Sequence, residues 1–392
     1  MERIGIYGGT FNPPHIGHIR GASYAINALG LERLLLIPSC ISPHKTLSDD
    51  SPTPAQRAEM LRIATEEKME VSDIELRRGG TSYTYETVEE IATQHPDKEP
   101  VLLMGTDMFL SFLDWKEPER ILQKASLAVL YRGNKGELEQ IKAQKEKLES
   151  DGAKVYVLEN PITEISSTQL RRMLAFGCAS AFLPEGVETY IREQGFYGIN
   201  KCYRNLPMAE LEKVVVSLVK PSRVAHILGC RDTAADLAKR WGADETDAAR
   251  AGLLHDITKA LDGPLQLTLC KECATILDDF HRKNTKTLHA LTGSLVAEHI
   301  FGENPAVVAA IRSHTTGKAN MNTLEKILYV ADYMEPNRDF PGVEKLRELA
   351  FTDLDKALKL GLQMTLELLK QQGREISPES AEALAFLERS GV

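Results

Sequence analysis

The stretch that decides the fold of the first half of the chain is Gly8-Gly9-Thr10-Phe11-Asn12-Pro13-Pro14-His15-Ile16-Gly17-His18. It follows the apolar run Ile4–Tyr7, which predicts a buried strand, and it leads into a helical pattern of apolar residues. A glycine-rich turn between a strand and a helix lets backbone amides approach a phosphate. His15 and His18 lie three residues apart, so both project from one side of the first helical turn. They are candidate donors to a phosphoryl transition state. The alternative is a Gly-Pro loop with two surface histidines.

Composition sets the class of protein. A chain of 392 residues predicts two domains, and 43% hydrophobic with 26% charged residues is typical of a soluble globular protein. A net charge of -9 argues against non-specific binding of nucleic acid or membranes. There is no apolar run of transmembrane length and no signal peptide, so we expect a cytoplasmic protein, with its six cysteines reduced. A homo-oligomer is left open.

Short β-rich runs alternate with helical patterns as far as about residue 195. The predicted strands are Arg3–Tyr7, Arg33–Pro38, Val71–Leu76, Val101–Met104, Leu127–Arg132 and Lys154–Leu158. The helical patterns between them include Pro54–Glu66, Tyr85–Gln94 and Pro118–Lys124. This alternation predicts a parallel sheet with helices on both faces, in which ligands bind beyond the carboxyl ends of the strands.

Polar loops follow the second and third predicted strands. The first of them carries Lys45, a candidate point charge for a triphosphate, although exposure in a loop is the more common fate of a lysine. The second, Arg77–Glu86, is a glycine loop that ends at a predicted helix start. Free amides there, around Thr84 and Tyr85, could hold a carboxylate. The alternative is an ordinary helix N-cap by Thr81, Ser82 or Thr84.

Two further motifs follow later strands. Gly105-Thr106-Asp107 comes after the fourth, and Asp107 could accept a hydrogen bond from a ribose hydroxyl. Trp115 could stack on a flat ring or lie in the core. Ile165–Arg171 comes after the sixth strand, where its serine and glutamine fit a capping box. The same helix start also offers hydroxyls, amides and Arg171 to phosphate oxygens.

In this order, the strings GGTFNPPHIGH, SPHK, GGTSYTYET, GTD with Trp115, and ISSTQLR resemble bacterial nicotinate-mononucleotide adenylyltransferases, within the nucleotidyltransferase superfamily. The resemblance implies a Rossmann-like α/β domain that uses Mg²⁺ with ATP. It implies ATP-binding residues Gly8, Gly9, Thr10, Phe11, His15, His18, Ser167, Thr168 and Arg171. It implies acceptor-binding residues Thr84, Tyr85, Asp107 and Trp115, and catalytic residues His15, His18, Lys45 and Arg171. Thr106 and the segment Ile41-Ser42-Pro43 depart from the family pattern. Phosphopantetheine is the alternative acceptor.

The second half of the chain is predicted to be all-α. Its helical patterns are Ala209–Val219, Ser222–Trp241, Thr246–Ala260, Leu288–Phe301, Pro305–Ser313, Thr323–Met334 and Asp353–Gln372. A mixed segment with glycine, asparagine and proline precedes them, so we expect one domain over residues 1–198 and another over 207–392.

Histidines and aspartates on these helices form a spaced set, namely His226, His255, Asp256, His289, His314 and Asp332. The set resembles the HD-domain phosphohydrolases, and in particular the bacterial symmetrical diadenosine tetraphosphate hydrolases. The resemblance implies two metal ions, with Asp256 shared between them. Mixed nitrogen and oxygen ligands favour iron or manganese. Asp256 and Lys259 are the candidate catalytic residues, and the alternative for Lys259 is a solvated helix lysine.

The sequence therefore predicts a bifunctional enzyme. Its substrates would be small nucleotides: ATP, nicotinate mononucleotide and dinucleoside polyphosphates. The alternative for the second domain is a nucleotide-sensing regulatory module.

Overall fold

A computed structural model describes residues 2–43, 47, 51–131, 136–160 and 165–392 of the chain. These residues form two compact units, Met1–Lys201 and Cys202–Val392, which we call unit 1 and unit 2. Each unit has its own architecture and is described by itself.

Unit 1 contains one parallel sheet in the order β3-β2-β1-β4-β5-β6. The strands are β1 (Glu2–Gly9), β2 (Leu31–Pro38), β3 (Met69–Val71), β4 (Lys98–Gly105), β5 (Ser126–Leu130) and β6 (Val155–Leu158). The helices are α1 (Ile16–Leu29), α2 (Pro54–Ala64), α3 (Ile74–Arg78), α4 (Thr84–Gln94), α5 (Thr106–Leu110), α6 (Pro118–Leu122), α7 (Glu137–Ser150), α8 (Ser167–Ala175) and α9 (Val187–Gln194). The predicted Rossmann-like α/β fold is confirmed.

The central strands form the core of unit 1. Ile6 on β1 lies opposite Leu35 on β2 and Leu102 on β4, and all three side chains are buried. Parallel strands covered on both faces have continuous apolar runs, which is why this part of the sequence predicts its own structure. The chain order reverses between β1 and β4, so their carboxyl ends form the crevice where such sheets bind ligands.

One predicted strand, Val71–Leu76, is wrong in its bounds. The edge strand β3 pairs with β2 only over Met69–Val71. Beyond that point no neighbouring strand accompanies the chain in the described sheet, and it turns into helix α3. An ion pair between Asp73 and Arg77, 2.9 Å apart and four residues apart in sequence, supports that helix.

Unit 2 is helical, as expected. Its helices are α10 (Met208–Leu218), α11 (Val224–Trp241), α12 (Glu245–Leu254), α13 (Gly263–Glu272), α14 (Asp279–Lys283), α15 (Leu288–Val296), α16 (Pro305–Ser313), α17 (Thr323–Met334), α18 (Val343–Thr352), α19 (Leu354–Gln371) and α20 (Pro378–Arg389). Helix α15 continues as a π-helical turn over Ala297–Phe301. In the described part of the chain, no helix combines the length and the apolar character needed to cross a membrane.

The predicted helix Thr246–Ala260 is too long. Helix α12 ends at Leu254, and residues 255–260 form tight turns closed by bonds such as the one from the Lys259 amide to the Asp256 carbonyl, at 2.9 Å. The His255 ring bonds back to the carbonyl of Gly252, at 2.7 Å. Thr258 donates to the carbonyl of His289 on another helix, at 3.1 Å. Bonds to side chains and to another helix thus replace the continuation of α12.

Candidate functional site

In unit 1, His15 and His18 form a stacked pair at the start of α1. Their ring centroids are 3.5 Å apart with planes 26° from parallel. The His15 amide donates to His18 Nδ1 at 3.1 Å, so a neutral His18 ring carries its hydrogen on Nε2. Both rings line a pocket that also includes Tyr7 at β1 and Gly105 at the end of β4. The pair therefore lies at the reversal of strand order, with an imidazole N–H that can donate to a ligand.

The loop before α1 is shaped by its own side chains. Gly8 and Gly9 end β1, and Phe11 adopts a left-handed backbone with φ of 47°. The Phe11 side chain is buried, with its ring 5.0 Å from that of His18 and edge-on to it. A Cβ on Gly9 would lie 3.2 Å from the Phe11 ring, a tight approach for any side chain. Phe11 thus supports both the loop and the His18 ring.

Helix α8 holds the loop from the other side. Ser166 caps this helix by accepting from the Gln169 amide, at 3.3 Å. Ser167 donates to the carbonyl of Pro13 at 3.0 Å. Arg171 donates to the carbonyl of Asn12 at 2.8 Å and to the Thr168 hydroxyl at 3.2 Å. The structure thus brings helix α8 to the Gly8–His18 loop, through the pairs Ser167–Pro13 and Arg171–Asn12, which are 154 and 159 residues apart in sequence. Thr168 is joined to Arg171 on the same helix.

Tyr197 is a contributor to this loop that the sequence did not single out. Its hydroxyl donates to Asn12 Oδ1 at 2.6 Å, and burial raises the pKa of Tyr197 far above its usual value. Tyr197 therefore stays a neutral donor. An isolated tyrosine after the last helix of unit 1 carries no sequence signal for this role.

The acceptor residues Thr84 and Tyr85 lie at the start of α4. The N-cap is Tyr83, without a side-chain cap, so the alternative of a cap by Thr81, Ser82 or Thr84 is wrong. The amides of the first turn therefore lack a side-chain cap. The Tyr85 side chain is buried, and its hydroxyl donates to the Glu86 carboxylate at 3.0 Å. The backbone amide of Tyr85, and not its side chain, is therefore the group that could hold a carboxylate.

The other acceptor residues flank the end of β4. Asp107 is exposed on the short helix α5, two residues after Gly105 of the histidine pocket. Trp115 is half-buried, with its ring centroid 5.4 Å from that of Phe112. Trp115 packs against the same core cluster that contains Tyr85. It therefore has one face in the core and part of its ring exposed. Lys45 lies outside the described residues.

In unit 2, the six predicted ligand residues converge. His226 Nε2 lies 3.2 Å from Asp332 Oδ1 and 3.7 Å from Asp256 Oδ2. His255 Nε2 lies 3.5 Å from Asp256 Oδ2. On the other side of the Asp256 carboxylate, the Nε2 atoms of His289 and His314 lie 3.4 and 3.8 Å from Oδ1. The Asp256 carboxylate is therefore at the centre, with one oxygen toward each pair of imidazoles.

A hydrogen bond from Nδ1 fixes each of the four histidine rings. Nδ1 of His255, His289 and His314 donates to the carbonyls of Gly252, Lys286 and Ile311, at 2.7, 2.9 and 2.6 Å. His226 Nδ1 instead donates to the Glu335 carboxylate, at 3.1 Å. A hydrogen on Nδ1 leaves the Nε2 lone pair free for a metal ion. All four rings thus present the same ligand atom to one centre.

The protonation states suit metal binding. Burial lowers the pKa of His255 and His289 well below the usual value and that of His314 to about 4, so these rings are neutral at pH 7. Burial alone would raise the pKa of Asp332, but its polar contacts with His226 and with the Arg338 guanidinium hold that pKa well below its usual range. Neutral imidazoles and an ionised carboxylate are the forms that bind metals.

Two ligand groups are compact enough for an ion. The ligand atoms of His226, His255 and Asp332 lie within 4.8 Å of one another, and so do those of His255, Asp256 and His314. The donor set, imidazole nitrogens with carboxylate oxygens, fits iron, manganese or zinc. The residues present therefore fit a divalent metal centre.

Cationic side chains surround this centre. Arg223 donates to Asp256 Oδ2, and Arg338 donates to Asp332 Oδ1 at 2.6 Å. The Lys259 ammonium lies 2.7 Å from His289 Nε2 and 3.8 Å from Asp256 Oδ1, and burial lowers the pKa of Lys259 to about 8. Sequence reasoning missed Arg338, although it lies six residues after Asp332. These cations can meet the negative charge of a phosphate substrate.

Thr315 is another residue of unit 2 that sequence reasoning missed. Its hydroxyl lies 3.0 Å from His289 Nε2 and 3.1 Å from His314 Nε2. Thr315 directly follows the candidate ligand His314, and this neighbouring position is the sequence feature that could have identified it.

Comparisons with known proteins divide along the same two units. Residues 6–173 match the family model described as cytidylyltransferase-like, and residues 223–337 match the HD domain model. A probable nicotinate-nucleotide adenylyltransferase of Desulfatibacillum aliphaticivorans is 36% identical over 217 residues, which are 99% of that protein and 50% of this chain. The symmetrical bis(5'-nucleosyl)-tetraphosphatase of Halalkalibacterium halodurans is 42% identical over 170 residues, which are 90% of that protein and 42% of this chain.

A solved structure is also similar to part of the chain. It is a predicted HD superfamily hydrolase involved in NAD metabolism, from Clostridium acetobutylicum. It is 35% identical, with a TM-score of 0.46, and the match covers 98% of that chain and 47% of this one.

Proposed function

We propose that this chain carries one enzymatic activity in each unit. It belongs to the nicotinate-nucleotide adenylyltransferase family through unit 1 and to the symmetrical bis(5'-nucleosyl)-tetraphosphatase family of HD-domain enzymes through unit 2. We assign the first to residues 1–198 and the second to residues 207–392. The assignments rest on the two family matches together with the two clusters of side chains.

Unit 1 transfers the adenylyl group of ATP to nicotinate mononucleotide. An oxygen of the acceptor phosphate attacks the α-phosphorus, and the bond from that phosphorus to the β-phosphate oxygen breaks. The products are nicotinate adenine dinucleotide and pyrophosphate. The observation that carries this proposal is the stacked pair His15 and His18 at the reversal of strand order.

The residues of unit 1 act by binding and orienting phosphates, which needs no protein nucleophile. The His18 Nε2–H donates to a phosphate oxygen, and the α1 N-terminus adds a favourable dipole. Arg171, held by the Asn12 carbonyl, offers guanidinium N–H groups to the triphosphate, with Lys45 as a further cation. Mg²⁺ enters with ATP as part of the substrate and neutralises triphosphate charge.

The start of α4 selects the acceptor. The amides around Thr84 and Tyr85 hold the carboxylate of the nicotinate ring, which an amide substrate could not supply. Trp115 stacks on that ring, and Asp107 accepts from the ribose.

A substrate panel tests unit 1. Pyrophosphate release from ATP is measured with nicotinate mononucleotide, its amide and phosphopantetheine as acceptors. We expect turnover with the first and much less with the other two. Turnover only with phosphopantetheine, or with none of the three, contradicts the proposal.

Unit 2 hydrolyses dinucleoside polyphosphates such as diadenosine tetraphosphate, which gives two ADP. The observation that carries this proposal is the convergence of four imidazole Nε2 atoms on the Asp256 carboxylate. One ion would be held by His226, His255, Asp256 and Asp332, and the other by Asp256, His289 and His314, with iron or manganese as the metal. Bound ions of this kind lower the pKa of water and neutralise phosphate charge.

The chain's own residues prepare this reaction. The carbonyls behind His255, His289 and His314 keep each Nε2 lone pair directed at the centre. Lys259 and Arg223 lie beside Asp256 and can bind the phosphate oxygens of the substrate.

Turnover by the full chain, loaded in turn with iron or manganese, tests unit 2. We expect diadenosine tetraphosphate to give ADP only. Nucleotide binding without turnover by the metal-loaded protein contradicts hydrolysis and supports a sensing module.

A further inference from the structure

Arg57 is a buried cation behind the nucleotide loop of unit 1. It lies on α2, and its side chain is 1% exposed. One terminal nitrogen donates to the Thr10 carbonyl at 2.5 Å. The other donates to the carbonyls of Ser39 at 2.6 Å and Cys40 at 3.3 Å. A single guanidinium thus joins the loop after β1 to the loop after β2.

The Arg57 guanidinium contacts backbone carbonyls and forms no direct ion pair with a described carboxylate. In the described part of the chain, no carboxylate oxygen lies within 4 Å of its nitrogens. Burial lowers the pKa of Arg57 from an ordinary value of 12.5, yet a guanidinium bonded to three carbonyls remains charged near pH 7. Positive charge in this buried position favours an anion bound on the other side of the Thr10 loop.

A second contact continues from the β2 loop to the acceptor residues. The Cys40 amide donates to the Ser82 hydroxyl at 2.9 Å, and the Ser82 amide donates to the Ile41 carbonyl at 2.9 Å. Ser82 lies two residues before Thr84, at the start of α4. Arg57 and Ser82 therefore form a continuous path of hydrogen bonds from Thr10 to the α4 start.

A buried carboxyl fixes the far end of this path. Glu75 accepts from the Thr87 hydroxyl of α4 at 2.8 Å, and it also bonds the Ser82 hydroxyl. The Ser82 hydroxyl is thus held between the β2 loop and α4, which leaves it little freedom to move.

We propose that Arg57 is a positioning residue that sets the donor loop at Thr10 against the acceptor loop at Ser82–Tyr85. The inference rests on the proposed adenylyl transfer and deepens it. Backbone hydrogen bonds join the β2 loop to each side, from the Ser39 amide to the Gly9 carbonyl and from the Ser82 amide to the Ile41 carbonyl, both at 2.9 Å. Arg57 adds a side-chain link from the Thr10 carbonyl to the turn at Ser39 and Cys40. In-line transfer requires the two substrates in register, so the guanidinium acts on the rate through geometry.

The test compares Arg57→Lys and Arg57→Met with the matched control Arg62→Met in the full chain. Arg62 lies on the same helix and is half exposed, paired with Glu59. Lysine keeps the charge but lacks the fork that reaches both loops. We expect Arg57→Lys to bind a non-hydrolysable ATP analogue within about threefold of wild type and to lose about 100-fold in kcat, the cost of a misplacement near 1 Å. Arg57→Met should lose both affinity and kcat.

Ser82→Ala tests the second half of the path. Removing this hydroxyl should raise KM for nicotinate mononucleotide and leave affinity for the ATP analogue unchanged. A purely structural role of Arg57 would not produce this split between the two substrates.

The outcomes separate the two proposals. An unchanged kcat in a folded Arg57→Lys variant overturns the positioning role, and so does failure of both Arg57 variants to fold, which would make Arg57 a stability residue. Failure of the proposed function shows instead as a wild-type protein that binds the ATP analogue but adenylylates no acceptor. Circular dichroism with Arg62→Met as reference establishes folding.

Discussion

The two candidate sites are built in opposite ways. In unit 1, Arg57, Ser167 and Arg171 direct hydrogen bonds to backbone carbonyls, so these side chains shape the loop between β1 and α1. In unit 2, backbone carbonyls hold three of the rings, and the histidine side chains direct their Nε2 atoms at one centre. Unit 1 therefore depends on loop geometry, whereas unit 2 depends on a set of charges. Substitutions should affect the two sites differently.

Loss of the Asp256 charge, which both pairs of imidazoles share, should have the largest effect on activity. Asp256→Asn leaves the size of the side chain unchanged but removes the carboxylate that both imidazole pairs face. We expect polyphosphate hydrolysis to fall on the order of 1,000-fold or more, since several kcal/mol of charge stabilisation depend on the metal centre. ADP release and bound metal are measured together. Asp236→Asn, on the exposed face of α11, is the control.

Adenylyl transfer by Asp256→Asn should equal that of wild type. A loss of both activities would show that the contrast between the two sites is wrong.

Removal of a hydrogen-bond donor from the site in unit 1 should have the second-largest effect on activity. His18→Ala deletes the ring that stacks on His15 and the Nε2–H donor. We expect kcat for adenylyl transfer to fall about 100- to 1,000-fold, the usual cost of one transition-state donor, with the fold intact. Pyrophosphate release gives the rate, and His95→Ala, at the end of α4, is the control. Retained activity would exclude His18 from the chemistry.

Substitution of a residue that holds a candidate metal ligand should have a smaller effect than loss of Asp256 or His18. Glu335 accepts from His226 on one oxygen and from Asn337 on the other, so a glutamine cannot satisfy all these donors. We expect Glu335→Gln to weaken metal binding about 10- to 100-fold. Competition with a chromogenic chelator measures the affinity, with the exposed Glu382→Gln as control. Equal affinities in the two variants would remove Glu335 from the metal site.

The smallest effect should be on stability, from a substitution at the amino end of β4, opposite the end that carries Gly105 of the histidine pocket. Burial alone would raise the pKa of Glu99, but hydrogen bonds from Lys154 at 2.8 Å, Ser126 and Arg3 lower it to about 2. Its folded pKa is below the unfolded value, so the stabilisation is complete above about pH 5 and declines as the pH falls toward 2. Glu99→Gln should cost on the order of 2 kcal/mol at pH 7.

Tryptophan fluorescence can assign that cost to unit 1. The chain has two tryptophans, one in each unit, so Trp241→Phe leaves Trp115 as the reporter of unit 1. In this background, urea unfolding is followed between pH 7 and pH 3.5 with and without the Glu99→Gln substitution. The difference in unfolding free energy between the two proteins should narrow with acid. A difference independent of pH would show that packing, not the charge, is responsible.

A structural feature could be predicted from the sequence where the residues that interact lie close together along the chain. The strands Val101–Met104 and Leu127–Arg132 were predicted because burial on both faces leaves an apolar signature within each segment, as over residues 127–130. The end of α12 was not predictable in that way. It depends on bonds from His255 and Thr258, one of which reaches the carbonyl of a residue 31 positions away.

The same distinction separates the residues found from those missed. His15 with His18, and His255 with Asp256, are recognisable because their chemistry lies within a few positions of one another. Tyr197 contacts Asn12 across 185 residues, and Arg57 contacts Thr10 across 47. A lone tyrosine or a helix arginine has no local pattern that reveals such a partner.

The sequence by itself determined the class of each unit and most of the chemical groups, because strand periodicity and closely spaced histidines and aspartates are local properties of the chain. Only the tertiary structure decided how those groups are held. It set the hydrogen on Nδ1 of His226 through Glu335, which lies 109 residues away in sequence. It also placed Arg57 between two loops, since a buried charge is satisfied by whichever carbonyls the packed chain presents.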